Sequence, residues 1–280
     1  MRALSILWKI AACGAIVFVT MNLPGPLLLH VAHRLPAWLE PRAVVVSAQA
    51  GALALVFLAL RVSPTSLSGS PSRAGFGAAG WFVLATSALS ALVSLMLIAG
   101  GSGDARSEVD ALLATWQREF PATGLAARFA VLALLIPVVE EFLFRGLVLG
   151  RLLGAAPAWL GLAVSTALFA QGHASWVLAG LTGAGFGLLY LRYRNLWVCV
   201  VAHGAHNLVS AAGIPLLAAH LRDAGAVVRG SGAMLPLQFV VFALFLACTA
   251  LFLRSVFGRI EGGPSSLLRR PVGAAADAPT

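Results

Sequence analysis

Phe129-Ala-Val-Leu-Ala-Leu-Leu-Ile-Pro-Val-Val-Glu140-Glu141-Phe-Leu-Phe-Arg145-Gly-Leu-Val-Leu149 is the stretch that decides the fold of this chain. Apolar residues run almost unbroken on either side of three charged ones. A surface helix of a soluble protein confines its apolar residues to one stripe, whereas here they point all round. The length is that of a helix crossing the roughly 30 Å hydrocarbon core of a bilayer, which takes about 20 residues. Its charged residues therefore lie where lipid, not water, is the surrounding solvent.

The rest of the chain repeats the pattern. Hydrophobic residues make up 60% of its 280 residues and charged ones 10%, with a mean hydropathy of +0.92; a soluble domain carries about 25% charged residues. Further apolar runs give candidate spans at about 5–30, 41–62, 75–100, 126–151, 157–173, 176–192, 196–216 and 235–254. The expected fold class is all-α, a polytopic membrane protein built as a bundle of about eight transmembrane helices. It is read as one membrane-embedded domain over 1–280, with a core at about 126–216 and a flexible tail at about 258–280. Pro24 and Pro26 must kink or end the first span. Residues 62–74 form a flexible link, and 101–124 is the one substantial loop. Within that loop Val109, Leu112, Leu113 and Trp116 have the spacing of a helix lying along the interface.

The net charge of +9 does not point to nucleic acid. The arginines occur in ones and twos between apolar runs, with no basic stripe interleaved with aromatics. Basic residues at span ends instead set topology, because they stay on the cytoplasmic side. Cys13, Cys199 and Cys248 all lie in apolar runs without metal-ligand spacing, and read as small core residues.

An ionisable side chain at the bilayer centre costs about 2.5 kcal/mol or more, so each marks a functional site by default. Three places break the apolar pattern. The first is Glu140-Glu141-Phe-Leu-Phe-Arg145. Glu141 and Arg145 are four apart on a helix, the spacing of an ion pair; Glu140 points about 100° away and is left to face a cavity, where a partly desolvated carboxylate suits general-base work. A structural ion-pair cluster is the alternative. The second is Phe169-Ala-Gln-Gly-His173, where the fifth span runs out and Phe169 stands one turn before the imidazole. From Pro157 to Gly172 there is only about 24 Å of helix, short for the core, so the turn after it is expected to dip into the membrane against protein. The third is His203-Gly-Ala-His206-Asn207, in which His203 and Asn207 share a face and His206 lies off to one side. A carboxylate, two imidazoles and an amide on three helices supply a base, an anchor for water or metal, and donors for an oxyanion. Hydrolysis of an amide by activated water is the plainest chemistry for that set.

These motifs resemble the CAAX prenyl protease and bacteriocin-processing family of intramembrane endopeptidases, whose signature is Glu-Glu-x-x-x-Arg, Phe-x-x-x-His and His-x-x-x-Asn in that order. The resemblance covers about 126–216. It implies an eight-helix fold with a membrane-embedded cavity open to the cytoplasmic side. It further implies that Glu140 activates the water, His173 holds it, and His203 and Asn207 stabilise the tetrahedral oxyanion, with Glu141 in the site and Arg145 as its structural partner. If zinc is used, Glu140, His173 and His203 are its ligands; a metal-free glutamate mechanism is the other form. One lysine against eighteen arginines indicates a bacterial plasma membrane protein, where prenylated substrates are not expected. The substrate is then a membrane-associated peptide or protein, and the partners are that substrate and lipid, not nucleic acid. A transporter using these groups as a proton or metal relay, and a non-catalytic immunity or scaffold protein, are the rival classes. No internal repeat or paired set of broken spans supports a transporter.

With eight spans both termini share a side. That side carries Arg2, Lys9, Arg61, Arg73, Arg145, Arg151, Arg192, Arg194, Arg254, Arg259, Arg269 and Arg270, against Arg34, Arg42, Arg106, Arg118, Arg128, Arg222 and Arg229 on the other. Reporter fusions at either terminus should therefore read cytoplasmic; a periplasmic signal from a C-terminal fusion would refute this count of spans.

Overall fold

The computed structural model describes residues 2–22, 41–60, 72–100, 125–173, 175–213 and 234–258, with isolated positions at 110, 113, 114 and 117. Residues 62–71 of the link expected at 62–74, most of the 101–124 loop with its interface helix, and the tail beyond 258 lie outside the described residues, while the end of that link, from Arg73 on, is helical. Among those residues there are eight helical rods and no strand. They are α1 (Arg2–Asn22), α2 (Pro41–Ala59), α3 (Arg73–Gly100), α4 (125–153), α5 (Ala158–Gln171), α6 (Trp176–Tyr193), α7 (Leu196–Gly213) and α8 (Met234–Phe257). Each stands where an apolar run predicts it. Segments Arg73–Met96, Leu196–Gly213 and Leu235–Phe257 are long and apolar enough to cross a membrane on their own, and their lipid-compatible surfaces mark an integral membrane protein. Trp176, Leu235, Phe239 and Val240 are among the large apolar side chains left exposed, as lipid-facing positions should be.

The core is formed by α4 to α7, with α3 and α8 packed closely on each other along one flank. Small residues set the approach of these helices. An added Cβ on Gly185 would strike the Phe82 ring, and one on Gly187 would strike Leu162. Helix–helix packing in membranes relies on such contacts because lipid gives apolar side chains no reason to leave it.

The rod α4 is not a uniform α-helix. Val131–Leu135 and Phe142–Leu149 are wound as π-helix, and α7 ends the same way over Val209–Gly213. Pro137 explains the first of these. Proline has no N–H to give, so two carbonyls lose a donor: that of Ala133, its α-helical partner, and that of Leu132, its π-helical partner. The Ile136 N–H is already taken by Val131. Asn207 of α7 fills the gap, its Nδ2 donating to the Leu132 carbonyl at 3.0 Å. Gly204, one turn earlier on α7, packs its bare backbone against the Ala133 oxygen, where a side chain would collide. In the second π segment Ser165 of α5 donates to the Phe144 carbonyl at 2.8 Å. Loosened carbonyls of α4 are thus the points at which α5 and α7 attach, which fixes α4's polar face in register with theirs.

Gly204→Ala should consequently push α7 from α4 and destabilise the protein by about 1–3 kcal/mol, read as a lowered unfolding temperature in detergent. Gly77→Ala, where nothing lies within 4 Å of an added Cβ, is the control and should leave it unchanged.

Candidate active site

Arg145 has no exposed surface, nor has Glu141. A guanidinium buried among apolar helices is costly unless it is partnered, and here both terminal nitrogens are met from different helices while Nε has no hydrogen-bond partner. Nη1 donates to Glu141 Oε1 at 2.9 Å and Nη2 to the Gly183 carbonyl of α6 at 2.7 Å. The charged plane lies over the Phe169 ring at 4.6 Å and the Phe186 ring at 5.2 Å, where cation–π attraction is strongest for a desolvated cation. Gly183 has to be glycine for this to close, since a Cβ there would sit 2.9 Å from Phe169 and 3.5 Å from Arg145 Nη2.

Glu141 is more than half of an ion pair. The same Oε1 atom accepts from His203 Nδ1 at 2.8 Å, so the carboxylate joins Arg145 on α4 to an imidazole on α7. With Nδ1 held, His203 turns Nε2 towards Glu140 Oε2, 3.7 Å away. That distance is inside the range of an ion pair but beyond a direct hydrogen bond, and Glu140 Oε2 is buried without a hydrogen-bond partner. Both atoms can bind one water from the same side. Phe186 stacks on His203, with centroids 4.7 Å apart and planes inclined by 21°, and fixes the ring's remaining freedom.

His173 closes α5. Its Nδ1 donates to the Phe169 carbonyl at 2.9 Å and its ring lies 4.6 Å from that of Phe169. This assigns the proton to Nδ1 and leaves Nε2 as an acceptor. The motif's phenylalanine thus fixes the tautomer through its backbone, packs the ring with its side chain, and supports Arg145. His206 bonds Thr86 of α3, Nδ1 to Oγ1 at 3.0 Å. Since the Thr86 hydroxyl also donates to helix carbonyls at 3.1 Å, His206 Nδ1 is the donor in that contact.

His173, His203, His206 and Asn207 all line one cavity of about 470 Å³, walled otherwise by apolar residues such as Phe82, Leu178 and Phe252 from α3, α6 and α8. Glu140 stands one contact behind the wall, through His203, and keeps 8% of its surface exposed. The structure thus joins Glu141, Arg145 and His203 by hydrogen bonds, sets Glu140 3.7 Å from the His203 ring, and places His173 and Asn207 on the adjoining cavity. Sequence spacing does not reveal Gly183, Phe186 or Thr86. Only the demand of a buried arginine for several acceptors hints at the first two. As for zinc, no three His, Cys, Asp or Glu side chains among the described residues are gathered as a metal ion requires. Glu140 and His203 supply two facing donors, and a catalytic zinc takes three protein ligands.

Residues 122–209 match the family model of Rce1-like, type II CAAX prenyl endopeptidases. No curated protein and no solved structure matches the chain. The matched stretch begins just before α4 and ends just after Asn207, so it contains Glu140, Glu141, Arg145 and all three histidines on the cavity.

Removing Arg145 would leave a buried carboxylate without its cation, which costs about 3–5 kcal/mol. Arg145→Ala should unfold at a much lower temperature, and Arg145→Lys should recover only part of the loss, because one ammonium cannot serve Glu141 and the Gly183 carbonyl in the same fork. Equal stability of Arg145→Lys and wild type would contradict this geometry.

Proposed function

We propose that the segment matching the type II CAAX prenyl endopeptidases works as an intramembrane endopeptidase, cutting a peptide bond of a membrane-associated substrate with water activated by Glu140. The observation that supports this reading is the buried Glu140 Oε2 atom, unbonded and facing His203 Nε2 across a gap that one water can share. Glu141 Oε2 is also without a partner, but Glu141 Oε1 is committed to Arg145 and His203, which leaves Glu140 as the carboxylate free to take up a water.

In this mechanism the substrate enters the 470 Å³ cavity, a size within the range of small-ligand pockets. Glu140 takes a proton from the water as the water oxygen bonds to the peptide carbonyl carbon. The carbonyl's electron pair moves to its oxygen, and His203 Nε2–H donates to the oxyanion that forms. His173 accepts from the water at Nε2. One amide hydrogen of Asn207 is committed to Leu132, and the other serves as the second oxyanion donor. The intermediate collapses with breakage of the C–N bond, and the leaving nitrogen takes the proton from Glu140. No step passes through a metal: Glu140, His173 and His203 act directly on the water and the oxyanion. The same reading has both termini cytoplasmic, from the distribution of basic residues, and the protein in a bacterial plasma membrane, from its one lysine against eighteen arginines.

Glu140→Gln keeps size and hydrogen bonding but removes the base, and should abolish cleavage of a peptide that wild type cuts while leaving the unfolding temperature close to wild type. Asn207→Ala should lower kcat by about 10²–10³ with little change in KM, as expected for a donor that acts as charge develops. A chelator should leave wild-type turnover intact. Near-normal turnover of Glu140→Gln would remove the base from this reading, and full loss with chelator would remove the metal-free form.

A further inference from the structure

One end of the bundle carries a ring of arginines that the proposed chemistry does not use. Arg73 opens α3, Arg151 lies near the end of α4, Arg192 and Arg194 close α6, and Arg254 lies near the end of α8. Contacts place these helix ends together. Tyr193 donates to the Ser255 carbonyl at 3.0 Å, a Cβ on Gly75 would lie 3.3 Å from Tyr193, and one on Gly150 would lie 3.8 Å from the Tyr190 hydroxyl. Among the described residues none of the five is paired with a carboxylate.

Two features of the ring point to a bound anion and not to simple solvation. Arg192 Nε is buried and has no hydrogen-bond partner, a donor awaiting an acceptor. Arg194 is the one described non-glycine residue with positive φ, at 49°, and it occupies the helix C-cap of α6. That left-handed position is ordinarily given to glycine because a Cβ strains there. Strain that persists in a fold is a reason to ask what the side chain does. Here it puts the guanidinium 5.9 Å from the Tyr190 ring, while Arg192 lies 5.9 Å from that of Tyr193, so each cation rests on an aromatic face at the rim. Trp159 and Trp197, exposed by 54% and 45% at the same end of the bundle, are what a helix bundle presents at the membrane–water interface.

We propose that the Arg192–Arg194 corner, with Arg73, Arg151 and Arg254 around it, binds the phosphate headgroup of an anionic phospholipid. Arginine's planar fork suits phosphate oxygens, and basic pockets at the cytoplasmic ends of helices are where acidic headgroups bind. The inference stands apart from the proteolytic reading, since no residue of the active site takes part.

The test uses the full chain in nanodiscs of phosphatidylcholine alone or with phosphatidylglycerol. Wild type should gain about 3 °C or more in unfolding temperature with phosphatidylglycerol, as expected when a ligand binds only the folded state. Arg194→Gly relieves the backbone strain, so in phosphatidylcholine it should be at least as stable as wild type, yet it should lose the gain from phosphatidylglycerol. A merely structural arginine would not separate these two readouts. Arg192→Gln should also lose the gain, and serves if Arg194→Gly does not fold. An undiminished gain in both variants would overturn the proposal, as would a gain of the same size from inorganic phosphate in phosphatidylcholine discs.

Discussion

A guanidinium with no exposed surface sits in the middle of this bundle, and the protein is arranged around making that tolerable. Arg145 takes one oxygen from Glu141, one from the Gly183 backbone, and the faces of Phe169 and Phe186. These groups come from α4, α5 and α6, so the cation holds three helices in one register. The Glu141 oxygen that answers it also orients His203 on a fourth. A charge cluster that costs stability in isolation thereby becomes a device for aiming one ring nitrogen at Glu140. Uniform packing of apolar side chains in lipid would not provide such an aim, because many rotations of a helix are nearly equivalent when every face is apolar.

A second constraint comes from the backbone. Pro137 lies three residues before Glu140 and strips donors from the carbonyls of Leu132 and Ala133. The consequence reaches α7, where Asn207 supplies the missing hydrogen bond and Gly204 supplies the close approach. The two turns of α7 that carry His203 and Asn207 are therefore clamped to the turn of α4 that precedes the glutamates. Wide π-turns are common at functional sites, and in this chain they are where polar side chains of other helices gain access to backbone oxygen.

How far the sequence foretells this differs from feature to feature. The eight apolar runs mark the eight rods because lipid demands length and hydrophobicity together, and both can be read off a linear string. The Glu141–Arg145 pair is legible from its spacing alone, and so is Phe169 beside His173. That Glu141 reaches a second helix is not legible: spacing within one rod is silent about the angle between two. Sequence reasoning expects Asn207 purely as an oxyanion donor, whereas the structure gives its amide a backbone partner as well. The signal for that is present in Pro137, since a proline inside a span leaves a carbonyl that something must satisfy. The arginines of the ring carry only topology as a linear string; the left-handed backbone at Arg194 that singles out one corner has no signature in composition.

The central claim is that Glu141 acts through His203 and not independently of it. A double-mutant cycle tests this directly: turnover of a peptide that wild type cleaves, measured for Glu141→Gln, His203→Gln and the two combined, each normalised to folded protein. If Glu141 serves to hold the His203 ring towards Glu140, nothing is left for it to do once the imidazole is gone, and the double variant should be no slower than His203→Gln alone. Losses that multiply in the double variant would mean that Glu141 has its own part in the reaction, and that the buried chain from Arg145 to Glu140 does not work by aiming the His203 ring.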